Sequence, residues 1–149
     1  MKILLAVDGS PCSDAAVEEV ARRPWPEGST IKVLTAYELP MPPTPEAWAL
    51  PLDYFKDLDV ALQKQARNTV DRAIQTLKAK LDKSILLDGV LLPGPPRTLI
   101  LDEAESWQAD LIVVGSHGYR AWERLLLGSV SQAVVSHAKC SVEVVRVRD

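Results

Sequence analysis

The chain has 149 residues, close to the size of one domain, and 47% of them are apolar. Seventeen Lys and Arg against twenty Asp and Glu give a net charge of −3, which argues against non-specific binding to nucleic acid or to an anionic membrane surface. No apolar run approaches the roughly 20 residues of a membrane span, and two cysteines are too few for a disulfide framework.

Ile3 to Val7 is a short continuous apolar run that ends in Asp8-Gly9-Ser10-Pro11, the pattern of a buried strand feeding a helix. Ser10 is a plausible N-cap, with Pro11 at the first helical position and Cys12, Ala16 and Val20 following at four-residue spacing. Thr30 to Tyr37 reads as a second strand. Five prolines fall between Pro40 and Pro51, so that stretch is expected to be a long loop inside one domain of residues 1–149. Leu58, Leu62, Ala66, Val70, Ala73, Leu77 and Leu81 then mark the longest helix. Ser84 to Leu92 reads as a third strand, and Arg97 to Trp107 as a helix. Asp110 to Val114 is a fourth strand that runs into Gly115-Ser116-His117-Gly118. Gly128 and Ser129 open a last helix, with Val130, Ala133, Val134 and His137 expected to face inward, and Ser141 to Val147 closes the chain as a fifth strand. Strands alternating with helices imply a parallel sheet, and the apolar first and fourth strands imply that both its faces are covered. The expected fold is a three-layer α/β/α domain, whose ligands bind beyond the carboxyl ends of the strands.

The most informative stretch is Gly115-x-x-Gly118, nine further residues, then Gly128-Ser129 at a helix start. Glycines let the backbone approach a ligand closely, and a helix N-terminus offers unpaired N–H groups to an anion. Ser129 and Ser131 add hydroxyls, although Ser129-x-x-Gln132 equally fits a capping box. There is no Walker A loop, no lysine between Gly115 and Gly128, and no G-x-G-x-x-G after the first strand.

The pattern G-x2-G-x9-G-[ST], following Asp110-Leu-Ile-Val-Val-Gly115, resembles the nucleotide-binding signature of universal stress proteins of the ATP-binding type. Ile3-Leu-Leu-Ala-Val-Asp8-Gly-Ser10 and Gly94-Pro95 resemble that family elsewhere, so the likeness covers essentially the whole chain. The resemblance implies a five-stranded parallel sheet in order 3-2-1-4-5, Rossmann-like and similar to the adenine nucleotide alpha hydrolases. It implies an ATP site, with Mg²⁺ or Mn²⁺ as companion. In that site Asp8 contacts the ribose and adenine end, and Ala36 offers backbone groups to the base. Gly115, Gly118, Gly128, Ser129, Val130 and Ser131 surround the phosphates, and His117, by its place between two of the glycines, is a further candidate for the nucleotide site. The chain departs from the family at Cys140-Ser141, where a proline often precedes the last strand.

Several residues keep a second reading. Asp8 either contacts ribose or only caps its turn. His117 is a phosphate ligand, a general base or a loop histidine bonded to backbone. Arg120 and Arg124 meet phosphate or solvent. His137 and Cys140 have a metal-like spacing but lack a second pair, so a packed histidine is expected. Cys12 and Cys140 fall at opposite ends of a parallel sheet, too far apart for a disulfide. Trp48 could cover the site from the Pro-rich loop, and no tryptophan series suggests stacking on nucleic acid.

The function expected is that of a cytoplasmic, ATP-binding regulatory module of the stress response, with slow or no hydrolysis and no catalytic residue assigned. The alternatives are a weak metal-dependent ATPase using His117 and a nucleotide-free interaction module. A receiver-type domain is disfavoured, because Asp8 lacks an acidic cluster and a lysine partner. The fifth strand, as a sheet edge carrying Glu143, Arg146 and Arg148, invites pairing into a homodimer. No nucleic-acid or membrane partner is expected.

Overall fold

The computed structural model describes residues 1–40, 45, 49–118 and 127–147. Its elements run β1 (Lys2–Ala6), α1 (Pro11–Ala21), β2 (Thr30–Tyr37), α2 (Leu52–Lys80), β3 (Leu86–Pro93), α3 (Pro96–Trp107), β4 (Leu111–Gly115), α4 (Ser129–His137) and β5 (Ser141–Val145). All neighbouring strands are parallel, in the order β3-β2-β1-β4-β5. β1 sits at the centre, with Ile3 level with Ile31 of β2 on one side and Leu111 of β4 on the other.

Side chains alternate across the central strands and so feed two separate cores. Ile3, Leu5, Ile31, Val33 and Val113 pack with Val17 and Val20 of α1 and Val70 and Leu77 of α2. Leu4, Ala6, Leu34, Ile112 and Val114 pack on the opposite face with Ile100 and Ala104 of α3 and Val134 of α4. Two helices per face explain why β1 and β4 carry almost unbroken apolar sequences, since neither face meets water. The chain winds outward from β1 through β2 to β3, then crosses back to β4 on the other side of β1. That reversal opens a crevice above the carboxyl ends of β1 and β4.

Several element boundaries depart from the sequence expectation. α2 begins at Leu52, six residues before the first periodic leucine, Leu58. Its buried residues, Ala66, Val70, Ala73 and Leu77, all lie in its C-terminal half, while Leu52, Tyr54 and Val60 are exposed. β3 runs from Leu86 rather than Ser84, because Asp82 accepts a hydrogen bond from the Ser84 N–H and holds a turn there. β5 ends at Val145, and Arg146 and Val147 are exposed beyond it. His137, expected to face inward, is exposed: it is the last residue of α4, and its ring folds back along its own helix, with Nδ1 2.9 Å from the Ala133 carbonyl oxygen.

Charged pairs tie the outer layer together. Arg23, just past α1, makes a two-pronged contact with Glu143 of β5 at 2.6 Å for each prong and also reaches Glu19. Glu143 is therefore engaged within the subunit. Lys32 of β2 pairs with Glu103 of α3 at 2.7 Å, and its ammonium lies 4.4 Å from the Trp107 ring centroid. Cys12 and Cys140 are free, near the carboxyl and amino ends of the sheet respectively. Burial pushes the Cys140 thiol up, helped by the nearby Asp110 charge, so this thiol keeps its proton at neutral pH. No helix among the described residues is long and apolar enough to cross a membrane.

Candidate functional site

A cavity of about 850 Å³ occupies the crevice above β1, β2 and β4, within the range of small-molecule sites, roughly 300–1,000 Å³. All nine residues expected at a nucleotide site, Asp8, Ala36, Gly115, His117, Gly118, Gly128, Ser129, Val130 and Ser131, line it. Tyr37, at the carboxyl end of β2 where the sequence places the ligand edge of the sheet, also lines it, and so do Glu38, Leu62, Gln65 and Thr69, which were not singled out for a site from the sequence. Arg120, Arg124, Arg148, Trp48 and Trp122 lie outside the described residues.

One side of the cavity is built by the end of β2. In a parallel ladder, successive residues of an inner strand bond alternately to the strands on either side. The Leu34 carbonyl accepts from Val7 N–H at 2.9 Å, toward β1, whereas the Tyr37 carbonyl accepts from Gly94 N–H at 2.8 Å, toward β3. Ala36 shares the parity of Leu34, so its N–H and C=O turn toward β1 at a level where β1 has ended. Thr35 Oγ1 donates to the Val7 carbonyl at 2.9 Å and closes the ladder there.

Asp8 follows directly. Gly9 takes a φ of 79°, and the turn brings the Ser10 N–H onto Asp8 Oδ1 at 2.9 Å. Oδ2 is left beside Gly118: a Cβ on Gly118 would stand 2.7 Å from it. One oxygen of the carboxylate holds the turn, and the other stands beside Gly118 at the cavity wall.

The three glycines of the motif do different things. Gly115, at the end of β4, lies against the backbone of α1; a Cβ there would meet Cys12 C at 2.7 Å and Ser13 N at 2.8 Å. Its role is to let helix and strand backbones touch. Gly118 keeps the space beside the Asp8 carboxylate clear. Gly128 sits close to the loop, its N–H donating to the Ser116 carbonyl at 2.8 Å.

Two helix N-termini open onto this region. α1 is closed by its own chain, since Ser10 Oγ accepts from Ser13 N–H at 3.3 Å. α4 is not. Its N-cap is Gly128, and no side chain makes a capping hydrogen bond there. The capping-box expectation for Ser129 is therefore corrected. Ser129 is the first helical residue and exposed, one position too late for its hydroxyl to cap. Ser131 is buried, and its Oγ lies 2.9 Å from both the Ser116 and Gly128 carbonyls, so that hydroxyl is spent on the loop. What α4 offers the cavity is its first-turn amides, with the Ser129 hydroxyl beside them.

His117 lies between these groups. Ser10 Oγ is 3.3 Å from its carbonyl, Ser116 Oγ is 3.1 Å from its Nδ1, and its Nε2 is buried with no hydrogen-bond partner among the described residues. Among those residues no cluster of three or more His, Cys, Asp or Glu is arranged to hold a metal ion. At the other end of the sheet His137 and Cys140 line a smaller cleft of about 230 Å³.

The chain and its fold have relatives among known proteins. The family model described as the universal stress protein family matches residues 1–146. A Thermus aquaticus protein, the universal stress protein in the QAH/OAS sulfhydrylase 3′ region, is 33% identical over 144 residues, 97% of each chain. The universal stress protein UspA from Lactobacillus plantarum superposes with a TM-score of 0.80 at 27% identity, covering 98% of this chain and 97% of that one. A universal stress protein family protein from Arabidopsis thaliana, solved with AMP bound, shares the fold at a TM-score of 0.66 and 18% identity over 99% and 92% of the two chains. By the span of the family model and the near full-length likeness to the Thermus protein, this chain belongs to the universal stress protein family.

Proposed function

We propose that this chain binds ATP in the crevice above β1 and β4 and acts as a nucleotide-dependent regulatory module of the stress response, with slow or no hydrolysis. The observation that carries the reading is the uncapped N-terminus of α4, which opens on the same cavity as the Asp8 carboxylate and the end of β2 at Ala36. Amides at a helix start suit phosphate oxygens, because they add partial positive charge to donors that the helix itself cannot use. The Asp8 oxygen beside Gly118 accepts from ribose hydroxyls. The Ala36 peptide offers one donor and one acceptor side by side, the complement of the N1 acceptor and N6 donor on an adenine edge. Guanine presents the opposite order there, so the same peptide disfavours it.

The residues fit a nucleotide with a divalent cation in a particular way. Asp8 and Glu38 are the acidic side chains at the cavity among the described residues. A Mg²⁺ or Mn²⁺ ion would be held chiefly by phosphate oxygens and water, as is usual for Mg²⁺. The ion supplies charge neutralisation when bound. Slow turnover is supported by the absence of a phosphate-loop lysine from the sequence. The AMP-bound relative supports an adenine ligand for the fold as a whole.

A homodimer through β5 forms part of the same proposal. β5 is a sheet edge, and its own Val142 and Val144 are half-buried against the core beneath α3 and α4. Light scattering on the purified chain is expected to give twice the 16.4 kDa chain mass, and a monomer at micromolar concentration overturns this part alone.

The nucleotide proposal is tested by titrating stripped protein with ATP and Mg²⁺, following heat and thermal unfolding together. At 100 times the dissociation constant, ligand stabilises the fold by about 2.7 kcal/mol. For a chain of this length that is a rise in melting temperature of roughly 5–10 °C. No heat and no shift up to millimolar ATP would make the glycine loop a scaffold.

A further inference from the structure

Ser116 is absent from the set of cavity-lining residues, yet it holds that set together. It is 2% exposed. Its carbonyl accepts from Gly128 N–H at 2.8 Å and lies 2.9 Å from Ser131 Oγ, which pins the start of α4 to the end of β4. Its hydroxyl lies between two side chains that can each give or take a proton, His117 Nδ1 at 3.1 Å and Cys12 Sγ at 3.6 Å. The far nitrogen of the same ring, Nε2, is buried and without a partner among the described residues, although His117 belongs to the cavity wall.

We propose that Ser116 is a positioning residue: it fixes His117 in the tautomer protonated on Nε2, so that Nε2 donates to a phosphate oxygen of the bound nucleotide. The inference rests on the nucleotide reading of the site and adds to it the residue that prepares the histidine.

Ser116 has one hydroxyl proton and two places to put it. Given to Cys12, it makes a bond to a thiol sulfur, a weak acceptor, at 3.6 Å. The ring must then carry its proton on Nδ1, and a bare lone pair on Nε2 would face the phosphates. Given to His117 Nδ1 at 3.1 Å, it makes a bond to a good acceptor, and Ser116 Oγ accepts in turn from the Cys12 S–H. The proton of the neutral ring then sits on Nε2, where an anionic acceptor completes a buried donor. The second arrangement gives every group a partner once phosphate is present. The first leaves a repulsive contact. Gly118, which follows His117, carries no side chain to stand between the ring and the ligand.

The test is a ring ¹⁵N–¹H correlation spectrum of the full-length, nucleotide-free protein at about pH 8, above the ordinary imidazole range. The chain has two histidines, so His137→Gln identifies the His117 signals. The expected result is a proton on Nε2, a bare Nδ1, and movement of the Nε2–H signal when ATP is added. Ser116→Ala is expected to give a mixture of tautomers and to weaken ATP binding about tenfold, the scale of one lost hydrogen bond, with adenosine affinity held within twofold. A His117 protonated on Nδ1 in the wild type overturns the inference, as does a Ser116→Ala variant that loses ATP and adenosine equally. The wild-type spectrum decides alone should the variant not fold. Wild-type protein that binds neither ATP nor adenosine overturns the nucleotide reading and this inference with it; binding of both with the proton on Nδ1 overturns this inference only.

Discussion

The N-termini of α1 and α4 stand at the same end of the sheet, and each is the first turn of a helix that follows a central strand. They are finished differently. At α1, Ser10 caps the helix, Pro11 occupies its first position, and the strand-end glycine Gly115 lets the backbone of Cys12 and Ser13 seat directly on β4. At α4, the cap position is a glycine without a side chain to offer, and the nearby serine that could close the end, Ser131, turns its hydroxyl back to the loop. A helix capped by glycine in place of serine forgoes only about a few tenths of a kcal/mol of stabilisation. Its amides are then open to a ligand. One end is closed by its own chain, and the other leaves its first-turn amides without a side-chain cap.

The contrast is sharpest at the glycines. Gly115→Val drives a side chain into backbone atoms already at 2.7–2.9 Å from the Cβ position, and neither strand nor helix can yield. A loss of about 3 kcal/mol is expected, read as a urea midpoint shift or as a fall of roughly 10 °C in melting temperature. Gly118→Val meets the flexible end of the Asp8 side chain instead. It is expected to leave the melting temperature of the free protein within about 3 °C of wild type while abolishing the stabilisation by ATP, a loss of up to about 2.7 kcal/mol at saturating ligand. If both variants lose stability equally and neither loses nucleotide selectively, the division between the two ends is wrong.

The serines give a finer version of the same test. Ser10→Ala removes a cap and should cost about 1 kcal/mol of folding stability, with ATP affinity within twofold of wild type. Ser129→Ala, at an exposed first helical position, should change stability by less than about 0.5 kcal/mol and weaken ATP roughly threefold to tenfold. Chemical unfolding and calorimetry on the two variants would show a crossed pattern. Parallel effects would break it.

Much of this was legible in the sequence because the physics was local. Short apolar runs at Ile3–Val7 and Leu111–Val114, each ending in a glycine turn, favour strands buried on both faces, and Ser10-Pro11 carries its cap in its own chemistry. The strand order and the identity of the cavity came from likeness to a family, since pairing between distant strands leaves little trace in a single sequence. The misreadings fall at helix ends. Ser129 fits a capping pattern one residue out of phase, and a one-residue shift in helix start decides whether a hydroxyl caps or points to solvent. His137 follows the periodicity of α4, but its ring folds back along its own helix. The start of α2 was missed although the half-buried Phe55 continues the spacing of Leu58 and Leu62, because Leu52 and Tyr54 beside it are apolar and exposed and blur the stripe. Ser116 escaped notice because a serine in a loop is unremarkable until its hydrogen bonds are known.

α2 is 29 residues long, about 43 Å, and only its C-terminal half is rooted in the core, through Ala66, Val70, Ala73 and Leu77. The remainder is a cantilever. Leu62 and Gln65, near the point where it leaves its support, form part of the cavity wall, and the exposed Leu52, Tyr54 and Val60 lie further out along the beam. Bending such a beam strains its own backbone hydrogen bonds and leaves the sheet undisturbed. Under the proposed nucleotide reading, bending at this end would move Leu62 and Gln65 without disturbing β2 at Ala36, so ligand entry and escape would need less than global unfolding.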